Sequence, residues 1–365
     1  MHTITVELGP RSYPVLVGEA LLPSLPVWLR RLDLTPPFLL VSEPRVRALF
    51  GAAAVESLDA AGIAATLAEM PEGEPAKSLE NVTALLDQMI AAALPRHTTL
   101  LALGGGALGD AAGFAAAVYH RGIAHVLVPT TVLAQADASI GGKVAINRGP
   151  AKNVVGAFHQ PRLVLSDTRV LATLPEPEFR SGLAEIVKHG VIADPSLFAF
   201  LENEAGALLA RDPAVLAEAI AASVAVKAHV VAEDETDRGA RAALNFGHTI
   251  GHALESADAF QGRRHGDAVS VGMAAACRLS VRLGLLEPSA CARVEALLAR
   301  FGLPTRAPEV SADDVLARLA YDKKGEGGEP RFVLTGGIGD VRLGARIPRR
   351  LLEEVARDTF RQAGA

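Results

Sequence analysis

The chain has 365 residues, half of them apolar and about a fifth charged, which suits roughly two globular domains and excludes a disordered or fibrous protein. A formal charge of −5 argues against nucleic acid as the main partner, so any cationic site must be gathered locally. Two cysteines, Cys277 and Cys291, are too few for a disulfide framework or a cysteine-rich metal site, and suit a reducing cytosol.

The opening stretch, MHTITVELGPRSYPVLVG, alternates like a strand and lacks a charged region followed by an apolar core, so it does not read as a signal peptide. FLLVSE, IAATLAEM, TTLLALGGG and AHVLVPTT then alternate with the helical runs RVRALFGAAAVESLDAAG and KSLENVTALLDQMIAAAL and a short helix. Such alternation predicts a parallel α/β sheet. No run is expected to span a membrane, because the longest uncharged one, 122–135, contains His125 and is broken by Pro129. After TLPEPEF (173–179) the texture becomes long Ala- and Leu-rich helices, with little strand character until RFVLTGG. The predicted organisation is an α/β domain over 1–174 and an all-α domain over 175–365. Ligands of such sheets sit at strand C-termini.

In LLALGGGALGDAAGF, Gly104, Gly106 and Gly109 satisfy G-x-G-x-x-G directly after a strand and at the opening of a helix. Glycines there let backbone N–H groups approach a pyrophosphate at the positive helix end, although a plain tight turn has the same pattern. The following strand ends in VPTT and not in the acidic residue that usually holds a ribose, which points to a different nucleotide-binding architecture or to a phosphate-bearing cofactor. Residues 135–161 hold Asp137, Lys143, Asn147, Lys152 and Asn153 in a glycine-rich segment without clear period, expected as a loop. Lysines among Gly, Ala, Val and Ile are unlike a solvated charge run, and suit a loop offering ammonium groups to an anion.

Arg241, Asn245, His248 and His252 follow at spacings of four, three and four, one continuous stripe if the segment is a single helix. Ala242, Ala243, Leu244, Phe246, Ile250, Ala253 and Leu254 surround it, so the helix should be buried and its polar stripe should face a cavity or ligand. Gly247 and Gly251 would each cost a helix interior about 1 kcal/mol relative to Ala, and would admit close approach of another element. HTIGH lacks the glutamate of a zinc protease, which excludes that chemistry. His265, before a predicted helix, and Glu185, a lone carboxylate in an apolar helical segment, are candidate companions for a metal at His248. Two His and one carboxylate would leave coordination positions open, as a catalytic zinc site requires.

In order and spacing, GGGALGDAAGF, RGIAHVLVPTTVLAQADASIGGK, KNVVGAFHQP, TLPEPEFRSGLAEIVKHG, LNFGHTIGHALE and HGDAVSVGMA resemble the 3-dehydroquinate synthase family from about residue 70 to about 333. The resemblance implies an N-terminal α/β NAD-binding domain and a C-terminal helical metal-binding domain. It implies Glu185, His248 and His265 as ligands of one Zn²⁺ or Co²⁺, with His252 facing substrate. It implies that Asp137, Lys143, Lys152, Asn153, Lys188, Lys227, Arg241, Asn245 and Lys323 line the substrate site, with Arg121 reaching in from a neighbouring subunit of a homodimer. For NAD it implies Gly105, Gly106, Asp110, Thr130, Thr131, Lys143, Lys152 and the 170–174 stretch (Val170, Thr173 and Leu174 above all), with Glu72, Gly73, Glu74, Lys77 and Glu178. The implied reaction is cytoplasmic conversion of the keto acid phosphate DAHP to 3-dehydroquinate and phosphate, by transient oxidation, elimination, re-reduction, ring opening and aldol closure.

Three positions depart from the family's pattern. Val144 stands where a Thr is common, Asp267 replaces a Glu, and VSEPRV lacks the Asp or Asn expected at the adenosine end, which leaves Ser42 and Glu43 without a role. A polyol dehydrogenase, a cyclase of another seven-carbon phosphate, and a non-catalytic descendant are the rival readings. The first needs fewer anion-binding groups, Lys227, Arg241 and Asn245 speak against the second, and intact ligands speak against the third.

Overall fold

The computed structural model describes residues 1–149, 151–258, 263–321 and 330–361. Packing divides the chain into one unit of Met1–Leu174 with Pro213–Thr236, and a second of Pro175–Asp212 with Asp237–Ala365.

The first unit is built on a seven-stranded sheet. Its strands are β1 (His2–Val6), β2 (Tyr13–Gly18), β3 (Phe38–Ser42), β4 (Ala65–Glu69), β5 (Thr99–Gly104), β6 (Ala124–Pro129) and β9 (Leu163–Asp167), in the order β1-β2-β9-β6-β5-β3-β4. Only β1 and β2 pair antiparallel; the other neighbours are parallel. β3, β5 and β9 are buried along their whole length, which explains their unbroken apolar runs: both faces of a parallel sheet are covered. β1 instead alternates between partly covered and exposed residues, as an edge strand does.

One feature differs from the expectations above. The glycine-rich segment is not a loop. It forms an antiparallel hairpin of β7 (Lys143–Arg148) and β8 (Ala151–Phe158), preceded by a π-helical turn at Ala134–Ala138. All eight residues of β8 are exposed, so no burial alternation marks it as a strand. The helix Pro213–Glu233 is long and apolar enough to cross a membrane, yet 61% of its most apolar window is buried. It is a core helix, lying against β1 and β2.

The second unit is helical, with two short two-stranded pieces, Ala307–Ser311 with Phe360–Arg361 and Phe332–Gly337 with Asp340–Ala345. Its centre is made of the helices Glu176–Ile192, His248–Ala257 and His265–Arg282. The last two touch backbone to backbone: a Cβ on Gly251 would lie 3.1 Å from Ala268 O, and Gly247 would press on Met273 and Val269. The 265–282 helix meets the 176–192 helix just as closely, where a Cβ on Gly266 would lie 1.9 Å from Ser181 O.

Candidate active site

The predicted stripe is not one helix. Ala240–Asn245 is a 3-10 turn, Phe246 is extended (φ −55°, ψ 125°), and Gly247 takes φ 79°, a left-handed conformation that glycine adopts without strain. The α-helix begins only at His248. Arg241 and Asn245 therefore sit on a separate turn from the two histidines, and Gly247 caps a helix end instead of weakening an interior.

In the second unit, His248 Nε2 lies 3.6 Å and His265 Nε2 3.5 Å from the same oxygen, Glu185 Oε1. The three donors fall within 4.8 Å of one another. Donors on a tetrahedral zinc at about 2.1 Å stand roughly 3.4 Å apart, so a carboxylate and two imidazoles at this spacing fit a divalent ion. Each ring is also held from behind. His248 Nδ1 is 3.2 Å from Phe246 O, and His265 Nδ1 is 3.5 Å from Glu255 Oε1. Such outer partners fix tautomer and ring orientation for a ligand. Burial holds His248 well below the ordinary histidine range, against the pull of Glu185. Burial also pulls on His265, but bonds to Glu185 and Glu255 outweigh it and push that ring up to about 10. An entering cation would displace the His265 proton and take its place between the carboxylate and the ring.

Lys188 is fully buried and pairs with Glu185 one turn away. His252 is exposed, one turn beyond His248, with ring centroids 5.3 Å apart. Arg241 is buried, and Asn245 is half-buried. Glu178 pairs with Arg264 at the surface. Lys323 lies outside the described residues. Glu255 escaped the sequence reading, although it closes the quoted segment three residues after His252 and is buried. A carboxylate on the same helix as His248, one turn past His252, was the available signal.

In the first unit, β5 ends at Gly104, Gly105 is extended, and the helix Gly106–Val118 opens at Gly106. Glu43 gathers two backbone donors here, accepting from Gly105 N and Gly73 N at 3.4 Å each. Burial raises its carboxyl above the usual range, against those two bonds. Two N–H groups from separate segments thus converge on one anionic group, which gives Glu43 a place that the sequence left open. Ser42 donates to Leu103 O at 2.8 Å and ties β3 to β5. Lys77 is buried against Asp110 Oδ2 (2.5 Å) and Asn153 Oδ1. Burial lifts the Asp110 carboxyl despite Lys77. Asn147 Nδ2 donates to Glu74 Oε1 at 2.7 Å, and its own oxygen accepts from Asn153 N at 2.9 Å. Glu72 accepts from Arg45 N at 3.1 Å.

Thr130 N donates to Gly104 O, and Thr131 Oγ1 caps the π-helical turn through Ala134 N. Asp137 meets Lys227 twice, at 2.8 Å through Oδ2 and 2.7 Å through its carbonyl. Lys143 and Lys152 are exposed on the hairpin, whereas Val144 is buried against Gly113, which accounts for an apolar residue there. Arg121 is exposed, with a left-handed backbone (φ 66°). Val170 is buried, Thr173 is exposed, and the hydroxyl of Thr173 donates to Val170 O. A small cleft, with room for about one water, is lined by Gly106, Gly109, Asp110, Ser139 and Lys143 among others. Glycine N–H groups at a helix N-terminus, beside a cleft with a lysine, fit a dinucleotide pyrophosphate.

Profiles of the 3-dehydroquinate synthase N-terminal and C-terminal regions match residues 67–181 and 182–325. The 3-dehydroquinate synthase of Rhodospirillum rubrum is 48% identical over 343 residues, covering 92% of this chain and 89% of that protein. Among solved structures, 2-epi-5-epi-valiolone synthase from Streptomyces hygroscopicus subsp. jinggangensis, with NAD⁺ and Zn²⁺ bound, superposes with a TM-score of 0.87 at 31% identity, over 95% of this chain and 96% of that one. A 2-deoxy-scyllo-inosose synthase with carbaglucose-6-phosphate, NAD⁺ and Co²⁺ gives a TM-score of 0.89 at 29% identity, over 98% of this chain and 100% of that one.

Proposed function

The chain belongs to the 3-dehydroquinate synthase family, and from that premise we propose that it converts DAHP to 3-dehydroquinate and inorganic phosphate. It is a phosphate-eliminating carbon–oxygen lyase that uses NAD and a divalent metal, Zn²⁺ or Co²⁺. The observation that carries the reading is the Glu185–His248–His265 donor set with Lys188 buried beside it. An ammonium next to a metal set is a surplus of positive charge that an anionic substrate balances.

When bound, the ion supplies Lewis acidity toward substrate hydroxyls, and NAD supplies a hydride acceptor that later becomes the donor. The remaining work falls to side chains. Glu185, His248 and His265 hold the ion; Glu255 and the Phe246 carbonyl orient the rings. Lys188, Arg241 and Asn245 of the second unit, and Asp137, Lys143, Lys152, Asn153 and Lys227 of the first, are the proposed substrate contacts, with the same role for Lys323. Cationic groups among them bind the carboxylate and phosphate and stabilise charge as it moves. His252, exposed one turn from His248, meets substrate. Gly105, Gly106, Asp110, Thr130, Thr131 and the 170–174 stretch, with Glu72–Glu74, Lys77 and Glu178, hold the dinucleotide. A cytoplasmic homodimer, with Arg121 reaching the neighbour's phosphate site, completes the reading.

Incubating the metal-loaded protein with DAHP and trace NAD⁺, and following phosphate release, tests it. Many turnovers per NAD⁺ with no net NADH are expected. One NADH per product would favour a dehydrogenase instead.

A further inference from the structure

His265 turns both of its ring nitrogens to carboxylates. Nε2 lies 3.5 Å from Glu185 Oε1, and Nδ1 lies 3.5 Å from Glu255 Oε1. On the Glu185 side the companion imidazole is His248. On the Glu255 side it is His252, whose ring centroid is 6.1 Å from that of His265. His252, Glu255 and His265 each place a donor atom within 4.8 Å of the other two. The His265 ring thus stands between two donor sets of the same composition, each completed by one further imidazole and one carboxylate.

The same packing holds both sets. His252 and Glu255 are three residues apart in the 248–257 helix and share a face of it, while His265 opens the 265–282 helix. Backbone contact at Gly251 and Gly272 fixes those two helices against each other. The sets differ in their access to water. The Glu185 side chain is 1% exposed and that of Glu255 10%, and His252 is exposed. An exposed imidazole loses more freedom when it takes a ligand, and an ion on the outer set would be repelled by one on the inner set. The outer set is therefore the weaker of the two.

We propose that His252, Glu255 and His265 bind a second divalent transition-metal ion once the inner set is filled, with the His265 ring bridging the two ions. The second ion takes the place of the Nδ1 proton, which passes to water on the exposed side, and no electrons move. An ion on Nε2 already draws charge from the ring and eases the loss of that proton. Two nitrogens and one oxygen favour Zn²⁺, Co²⁺ or Cu²⁺ over Mg²⁺ and Ca²⁺, which prefer oxygen alone. The consequence for turnover rests on the substrate reading above. That reading sets His252 against substrate, so an ion held by His252 withdraws it, and Zn²⁺ beyond one equivalent inhibits in competition with DAHP.

The test strips the full-length protein of metal, dialyses it against rising Zn²⁺ and counts bound ions per chain by elemental analysis. The wild type should take up two ions in separate steps, the second roughly tenfold or more weaker than the first. Mg²⁺ should not compete for the second step. His252→Ala should stop at one ion, with the affinity of the first step unchanged. Glu255→Gln should also stop at one, held about 10–100-fold more weakly because Glu255 supports the His265 ring. Saturation of the wild type at one ion would overturn the proposal. So would a second ion that persists in His252→Ala, which would sit elsewhere on the surface, or the loss of both ions there, which would put His252 in the inner set. The count needs no substrate. Two ions on a protein that leaves DAHP untouched would keep the site and defeat the proposed function, and one ion on a protein that turns DAHP over would do the reverse.

Discussion

A Cβ on Gly272 would stand 1.9 Å from the carbonyl oxygen of Gly247. The turn that launches the His248 helix therefore rests directly on the backbone of the helix that His265 begins. Gly272→Ala must push the two apart. Overpacking costs about 1–3 kcal/mol where side chains can yield, and a carbonyl yields less. The midpoint of thermal unfolding should fall by several degrees, and zinc affinity should fall with it, since the displaced elements each carry a donor. An unchanged midpoint would mean that the helices slide at no cost.

Removing a donor should remove the metal. Glu185→Gln and His248→Ala are each expected to lose stoichiometric Zn²⁺ by elemental analysis, and with it turnover, while chelation of the wild type should be reversed by Zn²⁺ or Co²⁺. Glu255→Gln should keep the ion but bind it about 10–100-fold more weakly, the usual effect of losing an outer partner. Normal zinc content and turnover in His248→Ala would show that the ion sits elsewhere.

Arg241→Ala separates carboxylate recognition from general attraction. It should cost about 1.5–3 kcal/mol of DAHP binding, the range for hydrogen bonds to charged groups. An analogue lacking the carboxylate should lose much less. Measuring kcat/KM or inhibitor affinity for both ligands settles it: equal losses would leave the choice of DAHP over a neutral-headed sugar phosphate without its main physical support.

A side chain at Gly106 should weaken NAD binding, because it would stand where the pyrophosphate approaches the helix N-terminus. Its Cβ would also come within 3.2 Å of the Ala138 methyl, so part of the effect is steric. Gly106→Val compared with wild type by NAD titration and by thermal unfolding distinguishes the two. A stability loss with unaltered NAD affinity would count against Gly106 as a cofactor contact.

His125 sets an acid limit on the fold. It is fully buried, neither ring nitrogen has a hydrogen-bond partner among the described residues, and it stacks on His159 at 4.9 Å. Burial, followed by repulsion from His159, holds its pKa down to about 3. Below pH 6.5 the unfolded chain takes up a proton that the folded one refuses until about pH 3, so stability falls with pH through that window. The loss between pH 7 and pH 5 is about 2 kcal/mol. His125→Phe should remove it, so its urea midpoint at pH 5 should exceed that of the wild type by more than at pH 7. Parallel pH curves for the two proteins would refute the assignment.

The sheet was legible because β3, β5 and β6 carry short, mostly apolar runs separated by helical periods, which leaves few topologies. The glycine turn after β5 was legible for the same local reason. The hairpin was not: with every β8 residue exposed, the sequence carries no inward and outward faces. The histidine stripe has helical spacing, yet Gly247 breaks it by a backbone rotation that spacing does not record, and only the helix–helix contact behind it demands that glycine. Glu185 and His265 are brought together by Gly266 lying on Ser181. That contact joins segments more than 80 residues apart, so residue types made Glu185 and His265 candidates beside His248, while spacing alone could not join them and the family resemblance singled them out. Glu255 and Glu43 went unassigned because each acts on a group from another segment.

The return of Pro213–Thr236 to the first unit bears on how the protein can be cut. A gene truncated at the textural boundary after Leu174 would encode a sheet stripped of its 213–233 helix, baring the apolar surface that Leu216, Ile220, Val224 and Val231 cover. Such a fragment would precipitate or recruit chaperones. A soluble half requires splicing 213–236 back behind residue 174 through a linker, a rearranged reading order in place of a simple deletion.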